Sequence, residues 1–320
     1  MYKISTSPHI NSKETTHKIM RDVIVALSPA IMAALIMFGF KALLVLVTSV
    51  CACLIFEYFM SKSLGLGNTA SDLSAVVTGI LLALNLPATM PLWMVIIGAF
   101  MAIGVAKMAF GGIGKNIFNP ALVGRVFLFI SFPVQMTTWV KPHVLDFFNV
   151  DATTSATPLN VLKHITENDI FSPEYMNLFL GNIGGSMGET SALAILLGLF
   201  WLLKEKIISW HIPVYYIGSF LLCMLITQLV TGNVRFDVLS HLLSGGLLLG
   251  AVFMATDYTT SPMTKKGKII FAIGCGILTY VIRVFGAYPE GVSFAILIMN
   301  AFVPLIDKYN IQYVYGTRRK

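Results

Sequence analysis

Apolar residues in this chain come in unbroken runs, not in strict alternation. Five runs, Val23–Phe40, Ala42–Phe56, Leu73–Leu86, Leu92–Ala106 and Ile117–Phe132, precede a polar interval, Pro133–Thr190. Five more follow it: Ala192–Leu203, Ile212–Val230, Leu242–Ala255, Ile269–Ile282 and Val292–Ile306. A β-barrel needs alternating segments, and "ALIMFGF" or "LLVLVTSVCACLIF" does not alternate. The pattern predicts an all-α polytopic membrane protein of about ten transmembrane helices. Several runs are shorter than the roughly 20 residues of a full span. Their ends extend into flanking residues, or they are broken helices packed inside protein. The organisation read from this pattern is an N-terminal segment 1–22, a first five-helix unit 23–132, a polar loop 133–190, a second five-helix unit 191–306 and a C-terminal segment 307–320.

Composition strengthens the membrane reading. Of 320 residues, 56% are hydrophobic and 12% charged, and the mean hydropathy is +0.80. Soluble domains carry about 25% charged residues. Residues Met1–Arg21 hold Lys3, Lys13, Lys18 and Arg21 but no apolar core of a signal peptide, so the first run is expected to remain as a membrane helix. The formal charge of +7 is accounted for by basic cytoplasmic loops, not by nucleic-acid binding. With the N-terminus inside and alternating passes, sixteen of the 22 Lys and Arg fall in inner segments and five in outer ones; Arg125 lies within a span. That bias places both termini in the cytoplasm and residues 133–190 outside. The four cysteines lie in apolar runs and imply neither a disulfide framework nor a metal site.

The two halves look related. "GILLALNLPATMP" and "GAVFMATDYTTSP" align Gly79 with Gly250, Thr89 with Thr260 and Pro91 with Pro262. Each leaves the third, short run of its half. An odd number of passes per half makes the second half an inverted repeat of the first, and matched short spans then point to a central site. Asn85, Asn119, Asp257 and Asn300 are expected near that polar core.

Catalytic motifs are missing: there is no phosphate-binding P-loop, no dinucleotide fingerprint, no HExxH and no CxxC. No catalytic residue is expected in this chain. Arg125, inside an apolar run, demands a partner or a polar cavity, or else snorkels to the interface. Asn119-Pro120 opens a polar pocket or kinks a helix. In "GNIGGSMGETSALAIL", Gly185 and its neighbours let backbone N–H groups approach an anion, and Glu189 stands where a helix begins. A flexible helix entry explains the same glycines.

One polar stretch is more specific. Asp151-x-x-Thr154-Ser155-Ala156-Thr157 resembles the D-x-x-[ST]-[GS]-A-T motif at which a flavin transferase esterifies a threonine with FMN. Together with "GGIGKNIFNPALVGRVFL", "GGSMGETSALAILLG" and "LLGAVFMATDYTTSPMTKKGK" it resembles the family that includes the D component of Rnf complexes and the B component of the sodium-pumping NADH:quinone reductase. The likeness covers roughly residues 20 to 310, and the short N-terminus favours the Rnf branch. The resemblance implies FMN bound covalently to Thr157, with Asp151, Thr154, Ser155 and Ala156 read by the transferase. Pro158 disfavours helical geometry at Thr157 and is expected to hold its side chain clear of a helix. The resemblance also implies a second, non-covalent riboflavin, partner subunits of an Rnf-type complex, coupling to Na⁺ or H⁺, and residence among the lipids of a bacterial inner membrane. The competing reading is a solute transporter or channel of urea-transporter-like fold with no redox role.

Overall fold

Helices make up the regular structure of this computed structural model, which describes residues 15–65, 70–142, 156–164, 174–232, 236–286 and 290–310. Thr15 caps α1 (Thr16–Ser63), its hydroxyl accepting from Lys18 N at 3.3 Å. The first two predicted runs both lie in α1. Its only non-helical residue is Gly39, at φ 61° and ψ −141°. The break therefore falls on the residue that tolerates positive φ, not on Lys41, whose side chain does not disturb helical backbone.

The remaining runs become elements of unequal length. They are α2 (Ser74–Leu84), α3 (Leu92–Phe100) continued by a π-turn at Met101–Val105, and α4 (Pro120–Ser131). Short helices α5 (Pro133–Met136), α6 (Pro158–His164) and α7 (Tyr175–Leu180) occupy the polar interval. Then come α8 (Ala192–Lys204), α9 (His211–Thr231), α10 (Val238–Leu243) and α11 (Leu247–Leu249) with its π-turn Gly250–Met254. The last two are α12 (Lys265–Phe285) and α13 (Val292–Tyr309).

Five of these stretches are long and apolar enough to cross a bilayer: α1, Leu92–Phe110, α9, α12 and α13. The protein is thus a multi-pass membrane protein. By contrast α2, at about 16 Å for its rise of 1.5 Å per residue, is half the hydrocarbon thickness of ~30 Å. The eighth run, Leu242–Ala255, is not one helix. It breaks at Ser244–Gly246, where Gly245 adopts φ 68°. These short pieces are buried against other helices, as non-spanning backbone at membrane depth must be.

Close packing comes from small residues. A Cβ on Gly79 of α2 would stand 2.8 Å from Val50 Cα of α1, and Ser49 Oγ donates to Gly79 O at 2.8 Å. A Cβ on Gly198 of α8 would meet Ala26 O of α1 at 2.4 Å. Lipid offers no hydrophobic drive for helix pairing, so such backbone approach supplies the packing energy. The two predicted units are joined across α4 and α13, where Phe129 and Phe294 meet edge-on at 6.1 Å.

Candidate functional site

Two polar regions lie at opposite ends of α2. The first centres on Arg125. This residue is 5% exposed and does not snorkel. Its Nη1 donates to Asn85 Oδ1 at 2.6 Å and lies 2.8 Å from Glu189 Oε1. Its Nη2 donates to Ser186 Oγ at 3.4 Å and to the Glu290 carboxylate. Four separate segments therefore converge on one guanidinium: the end of α2, the loop before α8, the approach to α13, and α4 itself. Two carboxylates against one cation give the cluster a formal charge of −1. A cation buried without such partners is far too costly to keep charged.

Thr157 faces this cluster. It is 6% exposed and lines an open cleft of about 270 Å³ with Ile183, Gly184, Gly185, Glu189, Gly245 and Glu290. Pro158 begins α6, as expected of proline at a first helical position. The expectation that Pro158 holds the threonine clear of a helix is corrected: Thr157 Oγ1 accepts from Asn160 N at 3.2 Å and caps α6. A threonine at this place satisfies an otherwise orphaned N–H. The structure thus brings Thr157, Gly185 and Glu189 to one cleft, with Arg125 behind Glu189. Ala156 is exposed. Asp151, Thr154 and Ser155 lie outside the described residues.

The cleft is walled in part by backbone at Gly184, Gly185 and Gly245, and its charged groups are Glu189 and Glu290. Its glycine walls present backbone, and a Cβ on Gly185 would meet nothing closer than Thr190 Cγ2 at 3.8 Å. Glu189 does not begin a helix: Ser191 caps α8, accepting from Ala194 N at 3.3 Å, and Glu189 turns to Arg125 instead.

The second region is a cavity of about 770 Å³. Asn119 lies here, away from Thr157. Its Oδ1 accepts from Ala121 N at 3.1 Å and Leu122 N at 3.4 Å, so it caps α4, and Pro120 occupies the first helical position and kinks nothing. The Asn119 amide also donates to Met254 O at 3.2 Å, and Asn85 Nδ2 reaches Met254 Sδ at 3.8 Å. In the amide orientation its neighbours require, Asn300 donates to Thr260 O at 3.1 Å and accepts from Asn119 N at 3.2 Å. Asn116 Nδ2 donates to Thr259 Oγ1 at 2.9 Å, and Asp257 accepts from Thr259 Oγ1 at 2.9 Å and Thr260 Oγ1 at 3.2 Å. Of the four residues expected at a shared polar core, Asn119 and Asp257 line this cavity and Asn300 bonds Asn119, whereas Asn85 pairs with Arg125 and touches this region only at Met254.

A buried ion pair beside this cavity escapes the sequence reading. Lys107, 3% exposed, donates to Glu57 Oε1 at 2.8 Å, Glu57 Oε2 at 2.7 Å and Ser74 Oγ at 2.6 Å. A count of basic residues assigns Lys107 to an inner loop, and Glu57 lies one residue past the end of a predicted run. The available signal is Glu57 itself, a carboxylate two turns before the end of α1. Glu290 and Ser186 carried no signal short of the fold.

A model of the NQR2, RnfD, RnfE family matches residues 3–316. Among similar proteins, the D subunit of the "Proton-translocating ferredoxin:NAD(+) oxidoreductase complex" of Clostridium ljungdahlii is 46% identical over 325 residues, covering 100% of this chain and 97% of that protein. The D subunit of the "Na(+)-translocating ferredoxin:NAD(+) oxidoreductase complex" of Acetobacterium woodii is 44% identical over 318 residues, covering 99% of this chain and 96% of its own. The D subunit of the "Ion-translocating oxidoreductase complex" of Escherichia coli O7:K1 is 35% identical over 350 residues, covering 100% and 99%. Full-length agreement of this kind, on top of the motif and the fold, means that the chain belongs to the NQR2, RnfD, RnfE family.

Proposed function

We propose that this chain is the D-type subunit of an ion-translocating ferredoxin:NAD⁺ oxidoreductase complex, and that it relays electrons through FMN esterified to Thr157. The observation that carries the reading is the place of Thr157. The last threonine of the motif lines a glycine-walled cleft beside a buried cluster of Arg125, Glu189 and Glu290. The bound flavin supplies the one- and two-electron chemistry. The chain supplies the rest. Thr157 Oγ1 is the ester oxygen, Gly184 and Gly185 leave room for the phosphate, and the Arg125 cluster fixes the segments that form the wall. Asp151, Thr154, Ser155 and Ala156 serve recognition by a flavin transferase. The chain is not a catalyst alone; other subunits carry the ferredoxin and NAD⁺ sites.

We propose that a second, non-covalent riboflavin binds in the cavity at the other end of α2. It is the cavity in which amide and hydroxyl groups and apolar side chains meet. Asn116, Thr256 and Thr259 offer amide and hydroxyl groups to a ring edge, and Phe253, Val77 and Leu81 offer apolar faces. We place the chain in a bacterial inner membrane as ten passes in two inverted sets of five, with both termini cytoplasmic and Thr157 outside. The support is the charge bias and the meeting of the two short helical regions at Asn85 and Met254. The translocated ion is Na⁺ or H⁺. The decisive experiment is in-gel fluorescence of the denatured chain after co-expression with a flavin transferase, with mass mapping of the modified peptide. A fluorescent band whose flavin maps to Thr157 supports the reading, and an unmodified chain under those conditions rejects it.

A further inference from the structure

The walls of the Thr157 cleft carry charge of one sign. Among the described residues that line it, Glu189 and Glu290 are ionisable and none is a cation. The counter-charges of both carboxylates stand behind the walls. Arg125 Nη1 lies 2.8 Å from Glu189 Oε1, and Arg125 Nη2 donates to the Glu290 carboxylate. Arg283, in the last turn of α12 and 4% exposed, lies across the backbone of Gly245. It donates from Nη1 to His241 O at 2.8 Å and from Nη2 to Ser244 O at 3.4 Å, and its charge is felt by both carboxylates. Two guanidinium groups and two carboxylates balance. Nothing is left over for a further anion.

A phosphodiester at Thr157 keeps one negative charge, and the cleft presents only like charge to it. Crowded like charges in a partly desolvated site are relieved when one carboxylate binds a proton. The two carboxylates are unequal candidates. The Glu189 side chain is 2% exposed and is wedged between Arg125 and Gly246, where a Cβ would stand 2.5 Å from its Oε1. The Glu290 side chain is 14% exposed, so protons reach it from solvent. Glu290 precedes α13 and lies outside both neighbouring spans, α12 and α13. The charged groups that face it are Glu189 before α8, Arg125 of α4 and Arg283 of α12. Burial and then the Glu189 charge push its carboxyl up to about 7, against the pull of the two arginines.

We propose that Glu290 is the charge-compensating group of this cleft and takes up one proton from solvent when Thr157 carries a phosphodiester. The inference rests on the reading that Thr157 carries FMN. The step is an acid–base exchange: a hydronium proton passes to a carboxylate oxygen of Glu290, and water is left. The carboxyl group so formed keeps a carbonyl oxygen for Arg125 and gains an O–H donor, where an ionised carboxylate only accepts. The four side chains and the ester then sum to zero charge. Glu290 acts by holding the esterified threonine in its cleft, not on the reacting ring. The consequence is a pH-dependent site: the esterified form gains stability as the pH falls, and above neutral pH the cleft repels the ester it encloses.

The test is thermal unfolding of the full chain in detergent between about pH 6 and pH 9, with and without co-expressed transferase, covalent loading being measured by mass. Burial raises the Glu290 pKa in the folded chain, so its contribution to stability is present at low pH and lost as the pH rises through that value. Esterification is expected to move the value upward by on the order of one pH unit. The melting temperature of loaded minus unloaded chain should therefore be largest at low pH and fall as the pH rises above about 7. In Glu290→Gln this difference should be flat. In Glu189→Gln, which removes a like charge, the fall should move to lower pH, and this variant decides the matter if Glu290→Gln does not fold. A flat difference in wild type overturns the proposal. So does an equal slope in wild type and Glu290→Gln, or a fall that stays in place in Glu189→Gln. A difference that follows Na⁺ concentration at fixed ionic strength, and not pH, overturns it as well, because a metal cation then supplies the charge. Absence of covalent flavin from wild type rejects the Thr157 reading itself, a separate result.

Discussion

Lys107 holds both oxygens of the Glu57 carboxylate and the Ser74 hydroxyl, and all three side chains are buried. Breaking one side of such a pair strands the other charge, which costs about 3–5 kcal/mol, whereas replacing both partners is far milder. Glu57→Gln alone should therefore lower the unfolding temperature markedly, and the double change Glu57→Gln with Lys107→Met should recover most of the loss. Equal destabilisation by the single and the double change, measured by thermal unfolding in detergent, would count against a stabilising pair. Thr157→Ala is expected to abolish the fluorescent band of the denatured chain and leave insertion intact, whereas Thr153→Ala keeps it; flavin retained in Thr157→Ala sinks the assignment. Asn116→Leu removes the amide that faces Thr259 at 2.9 Å. It should lower the riboflavin released by acid precipitation and spare the covalent band, and unchanged release speaks against the inner cavity as its site. Individual residues are unevenly legible in the sequence. Thr157 is carried by a local motif, so the sequence alone points to it. A charge count treats every basic residue beyond an apolar run as solvated, and so takes Lys107 and Arg283 for loop cations. Their partners, Glu57 and the carbonyls of His241 and Ser244, are distant in sequence, and only the fold brings them in.

Helix pairs in this protein are joined where side chains are absent. On α12, a Cβ added to Gly276 would come within 2.6 Å of Tyr216 O and 3.0 Å of Phe220 N, both backbone atoms of α9. Backbone cannot swing aside as a flexible side chain does. Gly276→Val should push α9 and α12 apart, at a cost of at least the ~1–3 kcal/mol typical of overpacking. Gly218→Val on α9, where nothing lies within 4 Å of the added atom, serves as the comparison and should leave the unfolding temperature nearly unchanged. A similar loss in both variants would mean that intrinsic helix preference, not interhelical contact, sets the effect. The lengths of elements are partly legible. The short runs at Leu73–Leu86 and Leu242–Ala255 announce themselves as too short to span. The breaks inside elements are legible only in part: Gly39 interrupts α1 two residues before Lys41, and Gly245 divides the eighth run directly after Ser244, each within an otherwise apolar segment. Hydrophobicity reports burial, and a buried turn is as apolar as the helix it interrupts when other helices cover it.

Across the whole molecule, the separation of two polar regions by the length of α2 gives the topology its functional meaning. Asn119 and Lys107 mark one end, and Thr157, Glu189 and Glu290 mark the other. A relay with one flavin at each end requires those ends to lie toward opposite faces of the membrane. The basic residues supply the direction: sixteen against five in favour of the face that holds Lys62, Lys204 and Lys265. Five stretches are individually long enough to cross, and the rest of the predicted passes depend on short pieces packed within the protein. Hydropathy shows the number of apolar runs but not whether a short run reaches the far side, so the ten-pass topology is a claim about direction as well as count. It is tested with single cysteines in a background where Cys51, Cys53, Cys223 and Cys275 are replaced. Lys141→Cys, just before the motif loop, should react with a membrane-impermeant maleimide in intact spheroplasts. Lys62→Cys at the end of α1 and Lys265→Cys at the start of α12 should react only after lysis. Labelling of Lys141→Cys and Lys265→Cys under the same condition would place both ends of the relay on one face. That outcome would remove the reason for a membrane-crossing electron path through this chain, even with FMN found on Thr157.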